Sequence, residues 1–234
     1  MEWMKYYSEE APVILGEHAF IYQRAIDGLR LMNQDVLDPS KQLNFVLGGF
    51  HNTWTVADFI SLGNKIHRGE HQNILLDMHK EPLDLIDKRY GLNLLQARLE
   101  ELPFSKESVD LLVMDFTLNF MEDDQVKKFA HHSQGFLDPE GLILTSFMAY
   151  PNQNWWDKLN LWYHDVPSKY SRTPETLASL LTPLKSVFFA KFETSFSKTE
   201  IPIKPEVYFL ILARKDSLLP AKIGKPFLIS RPSL

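Results

Sequence analysis

From Val109 to Asp115 the chain reads Val-Asp-Leu-Leu-Val-Met-Asp, an apolar run that closes on a carboxylate and follows the turn Leu102-Pro103-Phe104 and a polar loop. A run that is apolar at consecutive positions has to be covered on both faces, which is the condition of a strand inside a parallel sheet flanked by helices. Sheets of that kind place their ligand sites just beyond the carboxyl ends of the strands, where the chain leaves the sheet. Asp115 therefore marks a candidate small-molecule site, and the stretch from Leu99 to Met121 orders the rest of the chain around it.

The other elements fit the same plan. Apolar positions at Phe20, Ile21, Ile26, Leu29 and Met32 predict a leading helix over 17–35, with Asp38-Pro39 as its breaker. Residues 43–47 read as a first strand that ends in Gly48-Gly49, where the absence of Cβ atoms permits a sharp turn. Thr53 is positioned to cap a helix through Ile66. Ile74-Leu75-Leu76-Asp77 is a second strand, again closing on a carboxylate, and Pro82 opens a helix whose buried side is Leu83, Leu85, Ile86 and Tyr90. Residues 92–97, 109–115 and 141–149 supply three more strands, with a helix over 123–136 and the turn Asp138-Pro139-Glu140-Gly141 before the last. A helix begins at Thr173-Pro174-Glu175, and residues 186–193 and 206–214 form two closing strands antiparallel to each other. Strands alternating with helices predict an α/β fold with a mostly parallel sheet and helices on both faces.

Charge and composition remove several function classes. The chain of 234 residues has a formal net charge of −5, which does not suit a bulk nucleic-acid binder that must neutralise phosphates. It contains no cysteine, so disulfides, thiolate nucleophiles and Cys-ligated zinc are excluded. The first residues, MEWMKYYSEEAP, have no apolar signal-like core, and no uninterrupted apolar run reaches the roughly 18 residues a membrane helix needs. The expectation is a cytoplasmic protein with no integral membrane segment.

Two local sequences carry a resemblance. Glu101-Leu102-Pro103-Phe104-Ser105-Lys106-Glu107-Ser108 leading into the Val109–Asp115 strand, and Gly135-Phe136-Leu137-Asp138-Pro139-Glu140-Gly141 leading into Leu142-Ile143-Leu144, follow each other at the spacing of a helical crossover. In that order they resemble the class I S-adenosylmethionine-dependent methyltransferases, particularly the small-molecule group that includes the ubiquinone and menaquinone enzymes. The resemblance implies a Rossmann-like, seven-stranded methyltransferase fold whose last strand pair is antiparallel, with S-adenosylmethionine as cofactor and a small-molecule acceptor as partner. It implies one domain over 1–214, made of the leading helix 17–35, a cofactor half 43–149, a Trp-rich cover 150–170 and closing strands 186–214, followed by an extended arm over 215–234. A homodimer is a further expectation.

Site residues carry over position by position. Asp77 matches the acid that accepts hydrogen bonds from both ribose hydroxyls, a role that needs an ionised group with two oxygens. Met78 falls beside the adenine, Leu99 and Glu100 line its other face, and Asp115 and Phe116 close the cavity at the methionine end. Gly48 and Gly49 form the turn that approaches the cofactor. Two positions depart from the pattern: Phe50 puts bulk where the family has glycine, and Arg98 stands where an adenine-binding aspartate is usual, leaving Glu100 as its substitute. Such losses leave open a second reading, a catalytically silent or altered-ligand relative that acts as a binding or regulatory partner. The tail lysines and arginine with the aromatic cover suggest a third, a membrane-peripheral enzyme.

The cover contributes Trp155, Trp156 and Trp162 as acceptor-binding candidates, since aromatic faces suit a planar or lipid-like acceptor; core packing accounts for such residues equally well. If the reaction uses a base, His164 comes first, with Tyr150 and His51 behind it. His67-Arg68-Gly69-Glu70-His71 spells H-x-x-E-H, but zinc chemistry needs both histidines on one helix face, and Gly69 with loop-like flanks predicts a solvated loop and no metal. His131 and His132 read as solvent-facing.

Overall fold

The computed structural model describes residues 15–33, 35–38, 40–49, 53–86, 91–149, 172–192, 206–222 and 226–229. Within them run α1 (Leu15–Met32), β1 (Leu43–Gly48), α2 (Thr53–Ile66), β2 (His71–Asp77), α3 (Lys80–Asp84), β3 (Asn93–Gln96), β4 (Val109–Asp115), α4 (Asp123–Phe136), β5 (Leu137–Ala149), α5 (Pro174–Leu180), β6 (Lys185–Phe192), β7 (Glu206–Ala213) and β8 (Phe227–Ile229). One sheet takes them in the order β3-β2-β1-β4-β5-β7-β6-β8. The pairs from β3 through β5 are parallel, and β7 runs antiparallel to both β5 and β6. The seven expected strands are present, and residues 227–229 add an eighth, β8, which pairs parallel with β6.

Burial on both sheet faces follows from the consecutive apolar runs. Phe45, Leu47, Val113, Leu144, Phe209 and Ile211 face α1 and α2, while Val46, Leu112, Met114, Ile143, Phe147 and Leu210 face α4 and α5. α4 starts with a reciprocal capping box between Glu122 and Gln125, and α5 with the Thr173 hydroxyl accepting the Thr176 N–H at 3.2 Å, as the Thr-Pro-Glu start predicts.

Several boundaries differ from the sequence expectation for local reasons. α1 stops at Met32 because the Asn33 side chain captures the Asp35 N–H at 3.0 Å and turns the chain. α3 is only five residues long, so Leu85 falls past its end and is 65% exposed instead of buried. β2 begins at His71, since it pairs with β1 from Leu43 onward. β5 begins at Leu137, and the predicted Asp-Pro-Glu-Gly turn lies inside it as a bulge: Val109 pairs with Leu137, while Leu111 pairs with Leu142. A Cβ on Gly141 would sit 2.8 Å from the Val109 carbonyl oxygen, which is why the bulge takes glycine.

Residues 67–70 of the H-x-x-E-H string form a connecting loop with Arg68 and Glu70 exposed, as expected, but its histidines are not solvated. His67 is 2% exposed, its ring edge-on to those of Phe45 and His71 at 5.7 Å, while His71 stacks on Phe45 at 4.7 Å from within β2. Residues 67–70 connect α2 to β2, so the histidines are not one helical turn apart, and among the described residues no cluster of three or more His, Cys, Asp or Glu is placed to hold a metal. Among the same residues no helix is long and apolar enough to cross a membrane.

Candidate functional site

Three strand ends, Gly48 of β1, Asp77 of β2 and Asp115 of β4, lie at one end of the sheet, and Ser146 from within β5 pairs with Asp115 there. The β1 turn is shaped by its neighbours. Gly49 has φ +71° and donates its N–H to the Leu76 carbonyl at 2.9 Å. Thr117 fills the space beside it: its hydroxyl donates to the Gly48 carbonyl at 3.0 Å, and a Cβ on Gly49 would lie 2.9 Å from that oxygen. On the other side Leu99 stands 2.9 Å from where a Gly48 Cβ would be. Gly49 is thus required by its positive φ and by Thr117, while a Cβ on Gly48 would need only the Leu99 side chain to shift, and Thr117 enters the site without a sequence signal.

Asp77 is buried, and its Oδ1 accepts the His79 N–H at 2.8 Å while its carbonyl accepts the Ala97 N–H at 3.0 Å. The turn therefore fixes the orientation of the carboxylate. Met78 is exposed beside it, with its carbonyl accepting from Gln96 Nε2 at 3.3 Å. Across the crevice, Leu99–Glu101 forms a 3-10 turn in which Leu99 is buried. Glu100 Oε1 accepts from Gln125 Nε2 at 2.9 Å and lies 3.5 Å from Arg98, so that oxygen ties the turn to the start of α4.

At the end of β4, Asp115 is 4% exposed and its Oδ1 accepts the Ser146 hydroxyl. The same Ser146 oxygen accepts the Phe116 N–H at 3.1 Å, holding Phe116 at φ 55°. A bulky residue in the left-handed region is strained, and such strain concentrates where a fold positions a functional turn. Tyr22, which the sequence presents only as one more residue of the leading helix, reaches this spot from α1. It is 0% exposed, and its hydroxyl faces Ser146 and Asp115 without reaching hydrogen-bond geometry with either. Burial above all, and then the Asp115 carboxylate, push its phenol well above the ordinary range.

Arg172 is a further residue that sequence reasoning missed. It is 4% exposed and bridges to Ala149 at the end of β5. Its guanidinium donates to the Leu118 carbonyl at 2.7 Å, to the Met121 carbonyl and to Asp123 at 2.8 Å, closing the loop between β4 and α4. Beside it, Phe147, Tyr208 and Phe189 stack across β5, β7 and β6 at 5.3 and 5.5 Å. The Tyr208 hydroxyl and Lys191 both donate to Glu206; burial and this carboxylate raise the phenol of Tyr208. Phe50, His51, Tyr150, Trp155, Trp156, Trp162 and His164 lie outside the described residues.

Residues 61–145 match the sequence model of a family described as a methyltransferase domain. No curated protein matches the sequence. Among solved structures, the chain is similar to a candidate sarcosine dimethylglycine methyltransferase from Galdieria sulphuraria at 11% identity, covering 84% of this chain and 86% of that one with a TM-score of 0.61. It is also similar to the geranyl diphosphate C-methyltransferase of Streptomyces coelicolor A3(2), solved with Mg2+, geranyl diphosphate and S-adenosyl-L-homocysteine. There the identity is 8%, the coverage 79% and 80%, and the TM-score 0.57. A candidate methyltransferase from Bacillus halodurans C-125 gives 11%, 80% and 97%, and 0.57. At these identities the likeness is one of fold, and that fold is the Rossmann-like sheet of the class I methyltransferases.

Proposed function

We propose that this chain, with its class I methyltransferase fold and its methyltransferase-domain segment, binds S-adenosylmethionine across the carboxyl ends of β1, β2 and β4 and methylates a small-molecule acceptor. Asp77 carries the reading: a buried carboxylate, oriented by its own turn at the end of the second strand, where two ribose hydroxyls need an ionised acceptor. The surroundings fit the group. The Gly48-Gly49 turn would border the cofactor, Met78 and Leu99 offer apolar surface to an adenine, and Asp115 and Phe116 bound the methionine end. Glu100 would serve the adenine amino group through Oε2, since Oε1 is engaged by Gln125.

Bound there, the cofactor supplies a methyl group on a sulfonium, an electrophile that needs an in-line nucleophile more than acid–base assistance. The chain's task is to position the acceptor and exclude water. We assign Trp155, Trp156 and Trp162 to the acceptor's cover and His164, with Tyr150, to proton removal where the acceptor needs it. The same reading places the protein in the cytoplasm and allows a homodimer.

Calorimetric titration with S-adenosylmethionine and S-adenosylhomocysteine tests the reading. Both are expected to bind; a folded chain that binds neither at near-millimolar concentration overturns it.

A further inference from the structure

The methyl-transfer reading leaves Tyr22 unused. Its ring meets that of Phe209 edge-on at 5.6 Å between centroids. Phe209 pairs with Ser146 and Ser146 with Asp115, so one row across β7, β5 and β4 carries all three residues beneath the phenol. The hydroxyl is sealed and has no hydrogen-bond partner among the described residues. A buried polar group left unpaired costs about 1–3 kcal/mol, so a fold that keeps one does so where a water or a ligand completes it. Held protonated by burial beside a carboxylate, this phenol is a donor at neutral pH.

We propose that Tyr22, Ser146 and Asp115 form the acceptor subsite, and that the acceptor is a hydroxyl compound of the phenol class and not an amine. The inference rests on the methyl-transfer reading above. Tyr22 offers a donor and Asp115 an acceptor to the same incoming atom. A hydroxyl oxygen satisfies both and still has a second lone pair for the methyl group, whereas an amine nitrogen that accepted the Tyr22 hydrogen bond would have none left. Phe209 and Phe116, buried in the same cluster as Tyr22, give an aromatic ring surface to pack on. In the transfer, a bond forms between the acceptor oxygen and the methyl carbon as the carbon–sulfur bond breaks and leaves its electron pair on a neutral thioether. The hydroxyl proton passes to the Asp115 carboxylate, which for an acceptor in this subsite takes the place of His164 as the base, and from there to solvent. Because Tyr22 is covered, binding requires the crevice beside Asp115 to widen, with α1 as the wall that bears the phenol.

Titration of the chain saturated with S-adenosylhomocysteine, using phenol, anisole and aniline as probes, decides the matter. Phenol is expected to bind in the millimolar range, anisole, which has no hydrogen for Asp115, about tenfold more weakly, the worth of one hydrogen bond, and aniline, whose ring-delocalised lone pair accepts poorly from Tyr22, between the two. Tyr22→Phe, which keeps the ring on Phe209, should weaken phenol by a similar factor and leave S-adenosylhomocysteine unchanged. Equal binding of the three probes, no binding of phenol, or unchanged phenol affinity in Tyr22→Phe would mean that water alone completes the hydroxyl, and overturns the subsite. If Tyr22→Phe does not fold, the three-probe comparison on the wild type stands by itself. Failure of S-adenosylhomocysteine to bind overturns the methyl-transfer reading and this one together; its binding without discrimination among probes removes only the acceptor subsite.

Discussion

Ser146 donates its hydroxyl hydrogen to the Asp115 carboxylate and, through the same oxygen, accepts the Phe116 N–H at 3.1 Å, so one side chain of β5 fixes both the last residue of β4 and the left-handed turn that follows. Ser146→Ala removes one hydrogen bond from a buried carboxylate and one from the Phe116 amide. The expected loss is about 2–3 kcal/mol of stability, read as a lower urea midpoint at unchanged slope.

Asp77→Asn separates the two jobs of that residue. An amide oxygen still accepts the His79 N–H, so the turn and the unfolding midpoint should hold, while affinity for S-adenosylmethionine and its demethylated product should fall about tenfold with the loss of a charged acceptor. Calorimetry beside a thermal melt checks both, and equal affinity would move the ribose site elsewhere.

Arg172→Met is expected to be severe. It removes a guanidinium that serves two carbonyls and Asp123 from a buried position, and the stranded acceptors should lower stability by about 3–5 kcal/mol. Arg172→Lys should recover little, because one ammonium cannot reproduce the planar fork. Equilibrium unfolding in urea measures both variants.

Gly49→Ala meets two penalties, a φ of +71° and a Cβ 2.9 Å from the Thr117 hydroxyl oxygen. Together they should cost about 1–3 kcal/mol and weaken cofactor binding by shifting the β1 turn. Pairing it with Thr117→Gly should return part of the stability, and a double-mutant cycle reports how much.

Asp110 gives a pH dependence with a definite sign. Burial, the largest influence, raises its carboxyl above the ordinary range even though it accepts the Asn44 N–H at 2.7 Å. A carboxyl raised in the folded state binds more protons there than in the unfolded chain, so it destabilises fully above its folded pKa and not at all below its unfolded value near about 3.9. Asp110→Asn, which keeps an oxygen for Asn44, should therefore raise stability at neutral pH by less than about 1 kcal/mol, with the gain vanishing toward pH ~4. Urea midpoints at a series of pH values check the slope.

The order of strands and helices was legible in the chain because it rests on local patterning: consecutive apolar residues in 109–115 and 142–144, glycines at 48 and 49, and a Thr-Pro start at 173 each act within a few residues of themselves. Asp77 and Asp115 were legible for the same reason, as the polar ends of apolar runs. Boundaries set by pairing were not. β2 reaches back to His71 because Leu43 of β1 is its partner, and β5 absorbs an apparent turn because Val109 lies alongside it.

What the tertiary structure alone decided is which distant groups share a site. Tyr22 on the first helix, Thr117 after β4, Ser146 in β5 and Arg172 before α5 have no periodic or motif signal; they meet because the sheet order places β4 between β1 and β5 and lays α1 across them. His67 looked like solvated loop and is a loop residue packed into the core, since its burial depends on Phe45 of β1 and His71 of β2. Hydrophobic patterning acts between near neighbours in sequence, whereas the hydrogen bonds and ring contacts that define a site act between near neighbours in space, and only the folded sheet converts one into the other.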